Sequence, residues 1–235
     1  MGPGLGTLTK KLADHANKVI AVELDAKLVG ILRERFSSFP NIKIIHADIL
    51  KFTPRQVLQN DLATSGHARS YKVIANLPYY ITSPVLRHFL EAQLQPSMMV
   101  IMVQKEVGEA IAATSGRMSL LSVRTQFYSK PTIVSYVPAE SFYPRPKVDS
   151  LILRLDVYTK PPIKVSDVAS FFDIVTYGFS SRRKQLRNSL AQALGIPPLQ
   201  VALLLGKAGI EAKRRAETLS LEEWRKLWEF FAPLL

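Results

Sequence analysis

Asn76-Leu77-Pro78-Tyr79 follows a short apolar run, Val73-Ile74-Ala75. An exocyclic amine on an aromatic base is a poor nucleophile, because its nitrogen lone pair is delocalised into the ring. Acceptors placed on its two hydrogens would help it pyramidalise and attack. The Asn76 side-chain oxygen supplies one acceptor, and the carbonyl of Leu77 or Pro78 the second. Pro78 donates no hydrogen bond and stiffens the turn. Tyr79 offers a face to an unstacked base. Such a site needs no charged general base. Taken alone, the tetrapeptide reads equally well as a strand-to-helix turn with aromatic packing.

Three further groups fall near the ends of apolar runs. Gly2, Gly4 and Gly6 precede a helical pattern, and glycines let backbone approach a ligand closely. A simple tight turn explains them equally well. Glu23 ends the run Val19-Ile20-Ala21-Val22, 21 residues past Gly2. An acidic residue there can accept hydrogen bonds from both ribose hydroxyls of a nucleoside cofactor. Asp48 follows Ile42-Lys43-Ile44-Ile45-His46 and could accept from an adenine amino group. Ligands of open α/β sheets bind at this carboxyl edge. Phe142 sits in the Pro-rich segment Ser141-Phe142-Tyr143-Pro144-Arg145-Pro146. It is a second stacking face or a core residue; the residues leave both open.

The elements that must position these groups alternate. Helical spacing marks Thr7–Ala16, Ala26–Phe36, Lys105–Ala113 and Ser119–Phe127. Thr53-Pro54 and Ser83-Pro84 each read as an N-cap followed by an N1 proline; the second helix runs to about Ala92. Strands are expected over Val19–Glu23, Ile42–His46, Val73–Ala75, Met98–Val103, Thr132–Val137 and Val148–Asp156. Residues 60–70 read as a surface loop. The alternation implies a doubly wound α/β domain over 1–159. Its last two strands have no helix between them, so one is expected to be antiparallel. Methyltransferases dependent on S-adenosylmethionine use this pattern. Tyr158–Val165 is a linker by composition. Helices are expected over 166–179, 182–194, 198–206 and 220–231, with Ser220 and Glu223 as a capping box. This makes a small helical domain over 160–235.

Composition narrows the function classes. The 235 residues hold 31 Lys and Arg against 19 Asp and Glu, a formal net charge of +12. Residues 1–159 carry 19 cations and 12 carboxylates (+7); residues 160–235 carry 12 and 7 (+5). The shorter tail is thus the denser positive region, which points to nucleic acid. Arg182, Arg183, Lys184 and Arg187 lie within six residues. Cations in a first helical turn oppose the helix dipole, which phosphates nearby would offset. Lys213-Arg214-Arg215 forms a second cluster, and Arg145 and Lys147 flank the Phe142 segment. Together they could track an RNA backbone; a merely solvated face is the plainer alternative. Cysteine is absent, which excludes disulfides, cysteine nucleophiles and Cys-ligated zinc or iron–sulfur sites. His15, His46, His67 and His88 show no ligand spacing, so no metal is expected. No apolar run reaches the roughly 18 residues that span a bilayer, and the start has no signal pattern. A cytoplasmic, membrane-free protein is expected.

These segments resemble the KsgA-type small-subunit (16S) rRNA adenine N6,N6-dimethyltransferases. The matching stretches are GPGLGTLT, AVELD, ADIL, NLPYYITSP, FYPRPKVDS, RRKQLRNSL and RAETLSLEEW, from residue 2 to residue 224. The last two favour this family over the macrolide-resistance methyltransferases of large-subunit rRNA. The resemblance implies a Rossmann-like domain, with a mostly parallel seven-stranded sheet in the family, plus a helical RNA-binding domain. It implies transfer of two methyls from S-adenosylmethionine to each of two adjacent adenines. These lie in a hairpin near the 3′ end of small-subunit rRNA, in a pre-30S particle. Cofactor contacts are implied at Gly2, Gly4, Gly6, Glu23, Leu24, Asp48, Ile49 and Asn76. Target-base contacts are implied at Asn76, Leu77, Pro78, Tyr79 and Phe142. A single substrate particle suggests a monomer. The resemblance also implies a first, central strand before Gly2, which this chain lacks, with Met1 standing at its end. A non-catalytic RNA-binding assembly factor, or a methyltransferase of large-subunit rRNA or DNA, remains the alternative.

Overall fold

Val19–Glu23 (β1) and Ile42–His46 (β2) pair in parallel, in register from Val19 opposite Ile42 to Glu23 opposite His46. These positions come from a computed structural model that describes residues 1–58, 71–181 and 183–235. The expected loop at 60–70, with His67, and the cation Arg182 lie outside the described residues. Thr7–Ala13 (α1) precedes β1, and Ala26–Arg35 (α2) connects it to β2. Asp25 caps α2, its Oδ1 accepting from the amides of Lys27 at 2.7 Å and Leu28 at 3.2 Å. Thr53 Oγ1 accepts from the Gln56 amide at 3.3 Å, capping a helical stretch at 54–58 as expected.

A second sheet has the order β3-β4-β6-β5. It consists of Lys72–Asn76 (β3), Met98–Gln104 (β4), Ser129–Val137 (β5) and Ser150–Val157 (β6). β4 runs parallel to β3 and antiparallel to β6, so the expected antiparallel strand is present. Alternation along β4 buries Met99, Ile101 and Val103 on the face that carries Val73, Ala75, Leu151, Leu153 and Leu155. Thr82–Leu90 (α3), between β3 and β4, buries Val85, Leu86, Phe89 and Leu90. It starts one residue before Ser83-Pro84, with Ile81 at the N-cap and no side-chain capping bond. The expected Ser83 cap is therefore absent.

The two sheets meet at the chain start. The Met1 amine donates to the Ile74 carbonyl of β3 at 3.3 Å, and the Gly2 amide to the Val22 carbonyl of β1 at 3.0 Å. Met1 and Gly2 thus lie between β1 and β3.

Packing divides the chain differently from a cut at residue 159. One unit comprises Met1–Lys105 and Ile133–Val157; the other comprises Glu106–Thr132 and Tyr158–Leu235. The second unit includes most of Lys105–Ile111 (α4) and all of Leu120–Tyr128 (α5), with Val168–Phe179 (α6), Leu186–Leu194 (α7), Pro198–Lys207 (α8) and Leu221–Phe231 (α9). The reason is the apolar face of α5: Val123 and Phe127 join a core with Phe171, Phe172, Leu190 and Trp224. The Phe127 and Phe171 rings stack with centroids 5.3 Å apart. Helix α7 begins at Leu186 and not at 182, with Gln185 as its N-cap. Arg183 and Lys184 therefore precede the helix, and the dipole argument for them falls. The Ser220–Glu223 capping box is present at α9.

Candidate active site

Gly2, Gly4 and Gly6 all adopt positive φ, at 58°, 56° and 86°. Side chains rarely tolerate this conformation, which explains the spacing. The three have different surroundings. A Cβ on Gly6 would meet the Phe36 ring at 2.6 Å and Leu32 at 3.0 Å, so Gly6 lets α1 approach α2. Nothing lies within 4 Å of such an atom on Gly4, and only the Asn76 carbonyl, at 3.8 Å, on Gly2. Gly2 and Gly4 are thus the two glycines open to a ligand, and Gly2 adjoins the strand end that carries Asn76.

Glu23 is 9% exposed, and its Oε1 accepts from the Leu24 amide at 2.8 Å and the Asp25 amide at 3.0 Å. These bonds hold the carboxylate in place and leave Oε2 for a diol. Leu24 is exposed, and its carbonyl meets His46 Nε2 at 3.0 Å. Asp48 Oδ1 accepts from the Leu50 amide at 3.0 Å, capping the turn Ile49–Lys51. Its other oxygen is left for a donor, and Ile49 lies in that turn. The residues present therefore fit a nucleoside cofactor: an open glycine turn, then one anchored carboxylate at the carboxyl end of each of two adjacent parallel strands.

Beside this cradle, Asn76, Leu77, Pro78, Tyr79, Phe142, Tyr143, Pro144 and Pro146 line an open cavity of about 320 Å³. The structure thus brings together the two segments singled out in the sequence. Leu77 is buried and its amide donates to the Met102 carbonyl at 3.3 Å, tying the turn to β4. The Tyr79 hydroxyl lies 2.9 Å from Oγ of the fully buried Ser150 in β6. This bond fixes the ring and was not legible beforehand, since a serine in a strand carries no signal. Asp149 Oδ1 accepts from the Ala139 amide at 3.0 Å and so braces the loop that carries Phe142. Arg145 and Lys147 are exposed on that loop, and Arg145 pairs with Glu140 at 3.3 Å.

In the helical unit, the Leu186 amide donates to the Arg214 carbonyl at 2.7 Å, which joins the two basic clusters. Their cations differ in role. Arg214 is bound to Glu223 and to the Thr218 carbonyl, so it is committed to the capping box rather than to solvent. Lys213 and Arg183 are exposed, Lys184 Nζ donates to Gln192 Oε1 at 2.8 Å, and Arg215 lies 3.8 Å from Glu217. Arg187 is half-buried, with Nε enclosed and unpartnered among the described residues. No single described helix is long and apolar enough to cross a membrane.

The chain is similar to several known proteins. "Ribosomal RNA small subunit methyltransferase A" of Dehalococcoides mccartyi is 50% identical over 227 residues, covering 97% of this chain and 76% of the relative. The crystal structure of the 23S rRNA methyltransferase ErmE is 29% identical, with a TM-score of 0.73 over 98% of this chain and 88% of that one. A dimethyladenosine transferase from Plasmodium falciparum shares the fold at 24% identity, with a TM-score of 0.80 over 99% and 88% of the two chains. The family described as "Ribosomal RNA adenine dimethylase" matches residues 1–232, which include every element of both the cradle and the cavity. With half its residues shared with a member along nearly its whole length, this chain belongs to the ribosomal RNA adenine dimethylase family.

Proposed function

We propose that this protein transfers methyl groups from S-adenosylmethionine to the N6 amines of two adjacent adenines in a hairpin near the 3′ end of small-subunit rRNA. The observation that carries the reading is the cavity itself: Asn76, Leu77, Pro78, Tyr79 and Phe142 share it, beside the glycine turn and Glu23. Bound S-adenosylmethionine supplies an electrophilic methyl group. Gly2, Gly4, Glu23, Leu24, Asp48 and Ile49 would hold it.

The chain's own residues prepare the amine. Asn76 Oδ1 and the Leu77 or Pro78 carbonyl accept the two N6 hydrogens and draw the lone pair out of the ring. Leu77, tied to Met102, keeps those carbonyls from turning away. Tyr79, held by Ser150, and Phe142 give stacking faces to an adenine taken out of its helix. The four residues Asn76–Tyr79 include no carboxylate or imidazole, so the amine is polarised rather than deprotonated before attack, and the strongly acidic methylated nitrogen then gives up its proton to water. Exposed Lys213, Arg183 and Arg145 suit phosphate contacts. The protein acts on the pre-30S particle in the cytoplasm, as a monomer and without a metal.

The test is methyl transfer from labelled S-adenosylmethionine to immature small ribosomal subunits. Incorporation at two adjacent adenines is expected, with loss on Asn76→Ala. Incorporation only into large-subunit rRNA or DNA overturns the reading. Binding of RNA without any transfer overturns it in favour of a non-catalytic assembly factor.

A further inference from the structure

Two tyrosines on the segments that form the cavity are exposed to solvent. Tyr79 and Phe142 are half-buried, yet each is followed by an exposed aromatic: Tyr80 is 86% exposed and Tyr143 102%. Tyr80 lies in the turn Tyr79–Ile81, one residue beyond the cavity wall, and Tyr143 lines the wall with Pro144 and Pro146. Neither ring contributes to the core. Single exposed apolar residues are ordinary. Here, however, the two follow directly on the two stacking residues, on the two segments that form the cavity. Arg145 and Lys147 stand next on the Tyr143 segment, exposed and cationic.

We propose that Tyr80 and Tyr143 are stacking platforms for the nucleobases that flank the adenine in the cavity. This rests on the reading above that the cavity takes an adenine of RNA. A base removed from a stack leaves its neighbours with one bare face each, at a cost of a few kcal/mol. An exposed ring beside the cavity replaces the lost partner. The ligand class is a single-stranded loop segment, not a duplex, since only unstacked bases have faces to offer. Recognition is by base face and therefore indifferent to base identity at the flanking positions.

The experiment measures binding of a fluorescent RNA hairpin with two adjacent loop adenines, by anisotropy, to the full chain and to Tyr80→Ala, Tyr143→Ala and Tyr143→Phe. A second hairpin carries abasic sites at the flanking positions. Each alanine variant is expected to weaken binding of the intact hairpin about tenfold, within the range for a base–aromatic stack. Tyr143→Phe is expected to bind like the parent, because the ring and not the hydroxyl makes the contact. On the abasic hairpin the alanine substitutions are expected to cost nothing further. Alanine variants that bind the intact hairpin as the parent does overturn the proposal. So does an equal loss on both hairpins. If the parent chain methylates small subunits while these outcomes hold, only this inference falls; if it neither binds the hairpin nor methylates subunits, the functional reading falls with it.

Discussion

Gly6→Ala separates two costs that a positive-φ glycine can carry. Its φ of 86° is left-handed, and a side chain there costs roughly 1–2 kcal/mol. The new methyl would also sit 2.6 Å from Phe36 Cε2 and 2.8 Å from Cζ, with Leu32 Cδ2 at 3.0 Å. Phe36 and Leu32 are buried, and the Phe36 ring packs edge-on against Phe39 at 5.5 Å, so it cannot simply swing away. Overpacking of this kind adds typically about 1–3 kcal/mol. The total for Gly6→Ala is therefore about 2–5 kcal/mol. Gly4→Ala is the control: its φ of 56° carries the same backbone cost, but nothing lies within 4 Å of the added methyl. Both substitutions restrict the unfolded chain equally, so that contribution cancels in the difference. Urea titration followed by circular dichroism is expected to place Gly6→Ala about 1–3 kcal/mol below Gly4→Ala. Equal stabilities for the two variants would refute the assignment of Gly6 to packing between α1 and α2.

Ser150→Ala removes the partner of the Tyr79 hydroxyl and is expected to cost about 1 kcal/mol of stability and to raise KM for RNA, read from the denaturation midpoint and initial rates. An unchanged KM would show that the bond does not position the ring. Arg214→Ala is expected to lower stability by about 1–3 kcal/mol, whereas Lys213→Ala leaves stability unchanged and weakens RNA binding; thermal melting and a filter-binding assay distinguish them. Glu223 has its pKa pulled below the usual glutamate range, chiefly by the Arg214 hydrogen bond. The stability it contributes is thus fully present above the ordinary glutamate pKa and is lost as pH falls through the depressed folded value. The stability gap between the parent and Glu223→Gln is expected to be wide at neutral pH and to close in acid. A gap that is constant across that range contradicts the pairing.

Much of the site was legible because its chemistry is local. Glu23, Asp48 and Asn76 each follow an apolar run, and period alone places them near the carboxyl ends of strands. The glycine turn, the Ser220–Glu223 box and the Thr53 cap are sequence-adjacent devices of the same kind. Legibility failed where a contact joins distant residues. The bond from Tyr79 to Ser150 spans 71 positions. Leu186 reaches Arg214 across two helices and the loop after them, and Arg214 looks like one of three equal cations until Glu223 is placed beside it. The start of α7 was misjudged because Arg183 and Lys184 fit a helix by propensity, while the turn to the Arg214 loop holds them outside it.

By itself, then, the chain determined the order of strands and helices, the identity of the strand-end groups and the chemistry they suit, because these depend on residue type and short-range period. Tertiary structure decided which elements share a core: Val123 and Phe127 carry α5 into the helical unit although β4 before it, and β5 from Ile133 on, belong to the other. It decided that Gly6 serves packing while Gly2 and Gly4 stay open, a distinction set by the rings of Phe36 and not by the glycines. It also decided that Phe142 faces the same cavity as Asn76, since only the fold can bring together two segments 66 residues apart.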